Sequence, residues 1–308
     1  MMMASLRNPV GPGAPGPGSH PGFGPYQPLR DELLGLPAHA WIDRCNRLAE
    51  ARGLCSAAGA PLRFVTGSGT QGALGYEAAI FHEGRITCRD AGRGAVHDLH
   101  NALVWLTFPA VKATLNRLHV DFAQGGDDGR GRARGPVRDL ATLLDESGLL
   151  WLSCDTRLDA QLLARDWRGL LVANRERVAE RVRPVIIGHG LLEKLAAPYK
   201  SMTAHCLVCG LGGCPAAIGA AVGRPAGGQA AGAADTVSGT AVDRLAAACL
   251  AAAFAGARVP KLAPLPILGL AGWDPANVDP SYYDDARVFR AQAKPAWRPL
   301  DVARLHSG

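Results

Sequence analysis

The sequence predicts an α+β fold that is predominantly helical, a single domain with a small antiparallel β-hairpin and a long irregular C-terminal strap. Three observations favour this class. The 308 residues are 48% hydrophobic and 19% charged, which is typical of a globular chain rather than a disordered one. Apolar residues recur at helical spacing along much of the chain. Only the region 62–87 carries a strand pattern.

The first predicted helix runs from Pro37 to Ala51, because Trp41, Cys45 and Leu48 repeat at helical spacing. The strand pattern comes next. It predicts a short strand over 62–65, followed by a hairpin within Tyr76–Thr87 whose turn is His82-Glu83-Gly84.

Helices are predicted again from Ala95 to Thr107 and from Pro109 to His119, because a proline ends one helix and begins the first turn of another. Leu158–Arg183 and Val185–Ala197 also have helical patterns. The stretch Val259–Pro299 is interrupted by Pro and Asp residues, which predicts extended chain and turns that wrap the core.

Composition defines the predicted boundaries of the domain. Residues 1–28 are rich in Gly and Pro and are expected to form a disordered tail, because they bury too little apolar surface to offset chain entropy. The single domain covers 29–299. Low-complexity loop insertions are predicted near 123–136 and 223–239, and 300–308 is a second tail.

The basic charge of the chain does not by itself indicate a nucleic-acid ligand. The formal net charge is +6, but only five of the 33 basic residues are lysines. This Arg-, Ala-, Gly- and Pro-rich composition is typical of a GC-rich genome. The densest basic stretch, 130–138, has no aromatic residues that could stack on bases. We therefore expect no nucleic-acid partner.

The N-terminus and the cysteines predict a cytoplasmic protein. The Gly/Pro-rich start has no apolar segment of a secretory signal, so the eight cysteines are expected as free thiols. Two stretches have some membrane character, but Ser201–Gly223 is rich in Gly and Leu245–Ala257 is short. We therefore expect no membrane association.

One cysteine cluster has the spacing of a zinc site. Cys206-x-x-Cys209 is followed by Cys214, and His205 or Cys249 offers a fourth donor. Because the neighbouring residues are apolar, the alternative is that these cysteines belong to the hydrophobic core.

The segment most informative about function is the predicted helix pair 95–119. His97 and Asn101 lie one turn apart on the first helix, and a second polar face lies on the next helix. Because the flanking residues are apolar, these polar groups must find partners. The candidate residues are His97, Asp98, Asn101, Lys112, Asn116 and His119.

Two interpretations of these residues remain open. In the functional one, an imidazole exchanges a proton near neutral pH, a carboxylate orients it, and an amide or ammonium binds an anion. In the structural one, the same residues form a polar network that fixes how the two helices cross.

His189 and Glu193 form a second pair, one helical turn apart. Together with His97, Asp98 or His119 they could supply the donors of a zinc or iron site. The alternative is a local ion pair. We expect this segment to pack against the predicted helix pair, because buried polar groups need partners across an interface.

Two further motifs carry weaker signals. Gly67–Gly72 resembles a phosphate loop only in its glycine count, and a flexible connector is the better interpretation. The acidic and aromatic stretch 273–290 could place carboxylates in a cleft, but Asp and Asn beside Pro are what turns require, and we favour turns.

Several motifs, taken in order, identify a family resemblance. They are His97-Asp98-x-x-Asn101 with Lys112-x-x-Leu115-Asn116, Leu144-Asp145-Glu146-x-Gly148, Gly188-His189 with Glu193-Lys194, and Leu268-Gly269-x-x-Gly272-Trp273 with Tyr283-Asp284-Asp285. Over 62–290 the chain resembles the bacterial family of uncharacterised proteins called domain of unknown function 3025. The resemblance implies no activity, cofactor or partner, and it implies that the cysteine cluster is incidental.

The sequence therefore leaves two classes of function. In a hydrolase-like enzyme, His97 is the general base, Asp98 orients it, and Lys112 or Asn101 holds the developing anion. His119, His189 and Glu193 are then metal ligands or the general acid. In a non-catalytic binding or scaffold protein, the same residues hydrogen-bond within the core. No cofactor, metal or partner is identified at this level.

Overall fold

The computed structural model describes residues 20–67, 72–124, 134–211, 234–255, 260–291 and 300–301. Over these residues the fold is α+β and mainly helical, as predicted. Residues 1–19 of the predicted tail lie outside the described residues. So do 125–133 and 223–233 of the predicted insertions and residues 302–308 of the second tail.

The described chain begins with an ordered segment that the sequence analysis had assigned to the tail. A 3-10 helix, Pro21–Tyr26, leads into α1, Gln27–Leu34, and α2, Ala38–Ala51. Phe23 and Tyr26 are buried, and the Tyr26 hydroxyl donates to the Ile186 carbonyl at 2.5 Å. Residues 20–28 thus belong to the folded domain, because two buried aromatic side chains hold the Gly/Pro-rich segment against the core.

The predicted antiparallel hairpin is instead a parallel β–α–β unit. Strand β1, Arg63–Thr66, pairs in parallel with β2, Arg85–Cys88, and helix α3, Gly72–Glu83, connects them. A short apolar run such as 78–81 fits a strand or a buried helix equally well, and here it continues α3. The chain turns at Gly84, whose φ of +68° suits glycine.

Three long helices follow and surround the polar residues of interest. They are α4, Gly92–Thr107, α5, Pro109–Gln124, and α6, Arg134–Ser147. The helix pair predicted around Pro109 is confirmed. The first amides of α5 donate to the Asp243 carboxylate, which lies on a later helix.

The larger sheet was not predicted. It comprises β3, Gly148–Ser153, β4, Val182–Ile186, β5, Thr203–Gly210, and β6, Ala263–Pro266, in the order β4-β3-β5-β6. The two central strands are parallel and the outer pairs are antiparallel, while the short β7, Leu300–Asp301, also pairs with β5. All six residues of β3 are buried.

The two later helical predictions need correction, because β4 replaces the end of the first and the start of the second. The first is also broken at Arg165, which has a left-handed backbone. The segment 158–183 is divided into α7, Thr156–Ala164, a π-helical turn, Gly169–Ala173, and α8, Arg175–Arg181. Residues 185–188 are not helical, since β4 runs to Ile186 and α9, His189–Lys194, begins only afterwards.

The cysteine cluster lacks the geometry of a zinc-binding turn. Cys206 and Cys209 lie on β5, both buried. An odd separation along a strand directs side chains to opposite faces, so the two thiols cannot share an ion. Cys214 lies outside the described residues, and Cys249 lies on α10, Ala234–Ala255.

None of the helices in the described part of the chain combines the length and the apolar composition that a membrane crossing requires.

The strap predicted over 259–299 begins instead with strand β6 of the larger sheet, and only over 267–291 do the described residues form the predicted series of turns. The Asp274 and Asp279 carboxylates accept from backbone amides two residues further on and cap short 3-10 helices. Tyr282, Tyr283 and Phe289 are buried and fix the strap to the core.

Candidate functional site

A cleft of about 380 Å³ opens among α3, α4, α5, α6 and the start of α9. Its volume lies in the range of small-molecule sites. Its polar lining residues are Tyr76, Glu77, Thr87, Arg89, His97, Asp98, Asn101, His119, Arg138, Thr142, Asp145, Glu146 and His189. The cleft is therefore lined by five of the seven residues proposed for an enzyme from the sequence, and the other two, Lys112 and Glu193, contact its lining.

His97 projects from α4 and contacts two residues of α9 across the wall of the cleft. Its Nδ1 lies 2.8 Å from Glu193 Oε2, and its Nε2 lies 2.9 Å from His189 Nε2. The expected contact between the His97 and His189 segments is therefore present. The carboxylate that orients His97 is Glu193, one turn along α9 from His189.

Two glycines allow α9 to approach the end of α6 closely. A Cβ at Gly188 would lie 2.4 Å from the backbone nitrogen of Gly148, and one at Gly190 would lie 2.4 Å from Glu146 Oε2. At Gly188 the obstacle is backbone, which cannot move aside, whereas at Gly190 the end of the Glu146 side chain would have to move. The Gly-His-Gly sequence thus places His189 directly beside the C-terminal turn of α6.

That turn supplies two carboxylates that face the histidines. Glu146 Oε1 lies 3.8 Å from His97 Nε2 and 3.5 Å from His189 Nε2. Asp145 Oδ2 lies 3.6 Å from His189 Nδ1, while its Oδ1 is 2.5 Å from Lys112 Nζ. Neither carboxylate was among the candidates, although both belong to the motif Leu144-Asp145-Glu146.

Lys112 is the buried cation of the inner part of the cleft. Its side chain is 5% exposed, and its ammonium also lies 5.6 Å from the centre of the Trp105 ring. Asn116, one turn along α5, donates to Glu77 Oε2 at 2.8 Å. Lys112 therefore neutralises Asp145 and does not face the open cleft.

Asp98 and Asn101 have partners that the sequence analysis did not foresee. Asp98 accepts three hydrogen bonds from Arg89, one from its amide and two from its guanidinium. It does not orient His97, because adjacent residues of a helix point about 100° apart. Asn101 Nδ2 donates to the Tyr76 hydroxyl at 2.9 Å.

Burial and charge set the protonation states in the cleft. Burial lowers the pKa of His189 to about 4, although the Asp145 carboxylate opposes the shift. Burial raises the pKa of Glu77 to about 7, and nearby Asp145 adds to this. Burial also raises the pKa of Glu146. Burial favours the protonated form of Asp145 too, but Lys112 and His189 hold the pKa of Asp145 below its usual range. At neutral pH, His189 is therefore a neutral imidazole beside an ionised Asp145.

Two groups in the cleft have donor atoms close enough to share an ion. One is His97, Glu146 and His189, and the other is Glu77, His119 and Asp145; in each, the donor atoms lie within 4.8 Å of one another. The second group already has the Lys112 ammonium at Asp145.

The comparisons with known proteins place the chain in a family without supplying an activity. No curated protein and no solved structure is significantly similar to it. The model of the family described as "Protein of unknown function (DUF3025)" matches residues 62–293, a range that includes every residue of the cleft. Because this match covers most of the sequence, the chain belongs to the DUF3025 family.

Proposed function

We propose that this chain is a hydrolase-like enzyme that acts on a small molecule in the cleft, where His97, His189 and Glu146 activate a water molecule. One observation carries the proposal. The two Nε2 atoms and Glu146 Oε1 face a single point at the cleft, separated by 2.9 to 3.8 Å. A water molecule on the cleft side of these three atoms can lie at hydrogen-bond distance from all of them.

The contact with Glu193 supports this role for His97. When Nδ1–H donates to the Glu193 carboxylate, Nε2 keeps its lone pair and faces the cleft. A positioned imidazole of this kind can take a proton from water. Glu193 then performs the orienting role that the sequence analysis gave to Asp98.

Tyr76 and Asn101 are suited to contact the substrate. The Tyr76 hydroxyl accepts a hydrogen bond from Asn101, so its own proton remains to be donated into the cleft that it lines. A donor aimed at an oxygen that gains negative charge stabilises the transition state of acyl or phosphoryl transfer. Lys112 and His119 act indirectly, through their electrostatic interactions with Asp145.

Unsatisfied polar atoms in and beside the cleft leave hydrogen-bonding capacity for a ligand. A structural network is expected to pair its buried groups. Among the described residues, Asn101 Oδ1, Asn116 Oδ1 and His189 Nδ1 are buried and have no hydrogen-bond partner. Groups in or beside a cleft that lack protein partners can instead be satisfied by water or a ligand.

The test is a panel of chromogenic carboxylic esters, anilides, phosphate monoesters and phosphate diesters. The wild-type chain is compared with His97→Gln. His205→Gln serves as the matched control, since His205 lies on β5 and not in the cleft lining. We expect the His97 variant to lose about 100-fold or more in kcat/KM on any hydrolysed class. Equal rates for wild type and His97→Gln on every class contradict the proposal.

A further inference from the structure

We propose that the point shared by His97 Nε2, His189 Nε2 and Glu146 Oε1 binds one divalent first-row transition-metal ion, such as Zn²⁺. The inference rests on the proposed function in one respect: it names the agent that activates water at that site, with His97 acting as a ligand of the ion instead of as a free base. It names Glu146 as the third ligand in place of Glu193, the carboxylate that the sequence suggested, and the family supplies neither a metal nor a ligand set.

The distances among the three atoms fit an ion without rearrangement. They form a triangle with sides of 2.9, 3.5 and 3.8 Å. The circle through its corners has a radius of about 2.0 Å, and zinc binds nitrogen and carboxylate oxygen at about 2.0–2.2 Å. An ion close to the plane of the triangle is therefore at bonding distance from all three atoms at once.

The carboxylates of Glu193 and Asp145 favour hydrogen positions on the two histidines that also indicate a bound cation. Glu193 at 2.8 Å favours a proton on His97 Nδ1, and Asp145 Oδ2 at 3.6 Å favours one on His189 Nδ1. Two neutral imidazoles protonated in this way direct bare lone pairs from Nε2 at each other across 2.9 Å. That arrangement is repulsive unless a positive charge lies between the nitrogens. His97, whose Nδ1 lies 2.8 Å from the Glu193 carboxylate, has the usual arrangement of a histidine ligand around a protein-bound metal, in which the second nitrogen donates to a carboxylate.

A shared proton is the competing occupant, and the third donor distinguishes the two. A proton on one Nε2 would join the two imidazoles through one hydrogen bond and leave Glu146 Oε1 3.5–3.8 Å from the nitrogens, whereas an ion at about 2.0 Å contacts all three atoms directly. The Glu146 side chain is 46% exposed and that of His97 is 30% exposed. The site is therefore reachable from solvent and keeps an open position for a water molecule, as catalytic metal sites require.

The expected stoichiometry is a single ion. The neighbouring group of Glu77, His119 and Asp145 already contains a positive charge, because Lys112 Nζ contacts Asp145 at 2.5 Å. A second divalent ion there would be repelled by that ammonium.

The experiment measures metal binding directly. The full-length chain is stripped with a chelator and titrated with Zn²⁺ alone by calorimetry, and with Co²⁺ alone by visible absorption. We expect one ion per chain and Co²⁺ ligand-field bands that report His and carboxylate donors. Affinity falls by about 100-fold or more in His97→Gln and His189→Gln, and by about 10–100-fold in Glu193→Gln, which alters only the outer carboxylate. The control His205→Gln binds as the wild type does.

Glu146→Gln keeps the test informative should a histidine variant unfold, because the exposed Glu146 side chain contributes little to packing. It is expected to weaken Co²⁺ binding and shift its absorption bands while melting like the wild type. No ion bound, or binding that survives both His97→Gln and Glu146→Gln in folded protein, overturns the inference. Full His97-dependent hydrolysis by metal-free protein overturns it as well but leaves the proposed function intact. Stoichiometric metal binding without hydrolysis of any substrate class supports the metal site and overturns the proposed function.

Discussion

Replacing each of the two glycines that flank His189 with alanine should separate stability from site geometry. At Gly188 a new Cβ would meet backbone atoms, 2.4 Å from Gly148 N and 2.6 Å from Ser147 N. Backbone cannot rotate away, so the turns before α9 and β3 must move apart by about 1 Å. Overpacking of this kind costs about 1–3 kcal/mol. We therefore expect Gly188→Ala to lower the free energy of unfolding by that amount.

At Gly190 the closest atom is the mobile end of a side chain. The new Cβ would lie 2.4 Å from Glu146 Oε2, which can rotate toward solvent, and 3.1 Å from the Glu146 carbonyl oxygen, which must shift only slightly. Alanine in a helix also gains up to about 1 kcal/mol over glycine. Stability should therefore stay within about 1 kcal/mol of the wild type. Glu146 is displaced from the histidines, however, and a misplacement of about 1 Å can cost about 100-fold in activity.

Urea unfolding measures the first effect, and Co²⁺ affinity together with kcat/KM measures the second. Gly24→Ala is the control, because a Cβ there would meet nothing within 4 Å. The reasoning is refuted if Gly188→Ala and Gly190→Ala destabilise equally, or if Gly190→Ala keeps wild-type metal affinity and activity.

Three further predictions concern the scaffold. Tyr26→Phe removes the hydrogen bond to Ile186 and should cost about 1 kcal/mol in urea unfolding; no change would mean that residues 20–28 are not held as described. Asp243→Ala uncaps α5 and should cost about 1–2 kcal/mol by the same measurement, an effect that an equally stable variant would disprove. Burial raises the pKa of Asp159 from 3.8 to about 6, so the folded state binds this proton more tightly than the unfolded one. Its contribution, on the order of 2–3 kcal/mol, is complete below pH 4 and is lost as pH rises through 6. Asp159→Asn should flatten that part of the stability profile, and an unchanged profile would contradict the assignment.

Helical elements were predictable where one face is polar and the other apolar. In α4 and α5 the period of apolar residues and the proline between the helices define both elements. The same method failed at 78–81, where an apolar run gives no period, and at β3, where every residue is buried. Strands covered on both faces have continuous apolar sequences, which do not separate strand from helix.

The candidate site was predictable only in part, for a related reason. Burial of His97 and His189 in apolar segments predicted that they would meet, because isolated buried polar groups are costly. The partner of His97 was misassigned, because Asp98 is adjacent in sequence but points elsewhere on the helix and pairs with Arg89. Glu193, one turn from His189, makes the contact instead.

The placement of Glu146 follows from the sheet that the sequence analysis missed. Strands β3 and β4 are antiparallel, and Leu149 pairs with Ile186 at one end of the ladder. Glu146 precedes Leu149 by three residues and His189 follows Ile186 by three, so pairing at this register brings both to the same edge of the sheet. A slip of one residue would turn the strand over and separate them. The pairing of two buried strands therefore determines which carboxylate faces the histidines, and helical periodicity contains no information about that pairing.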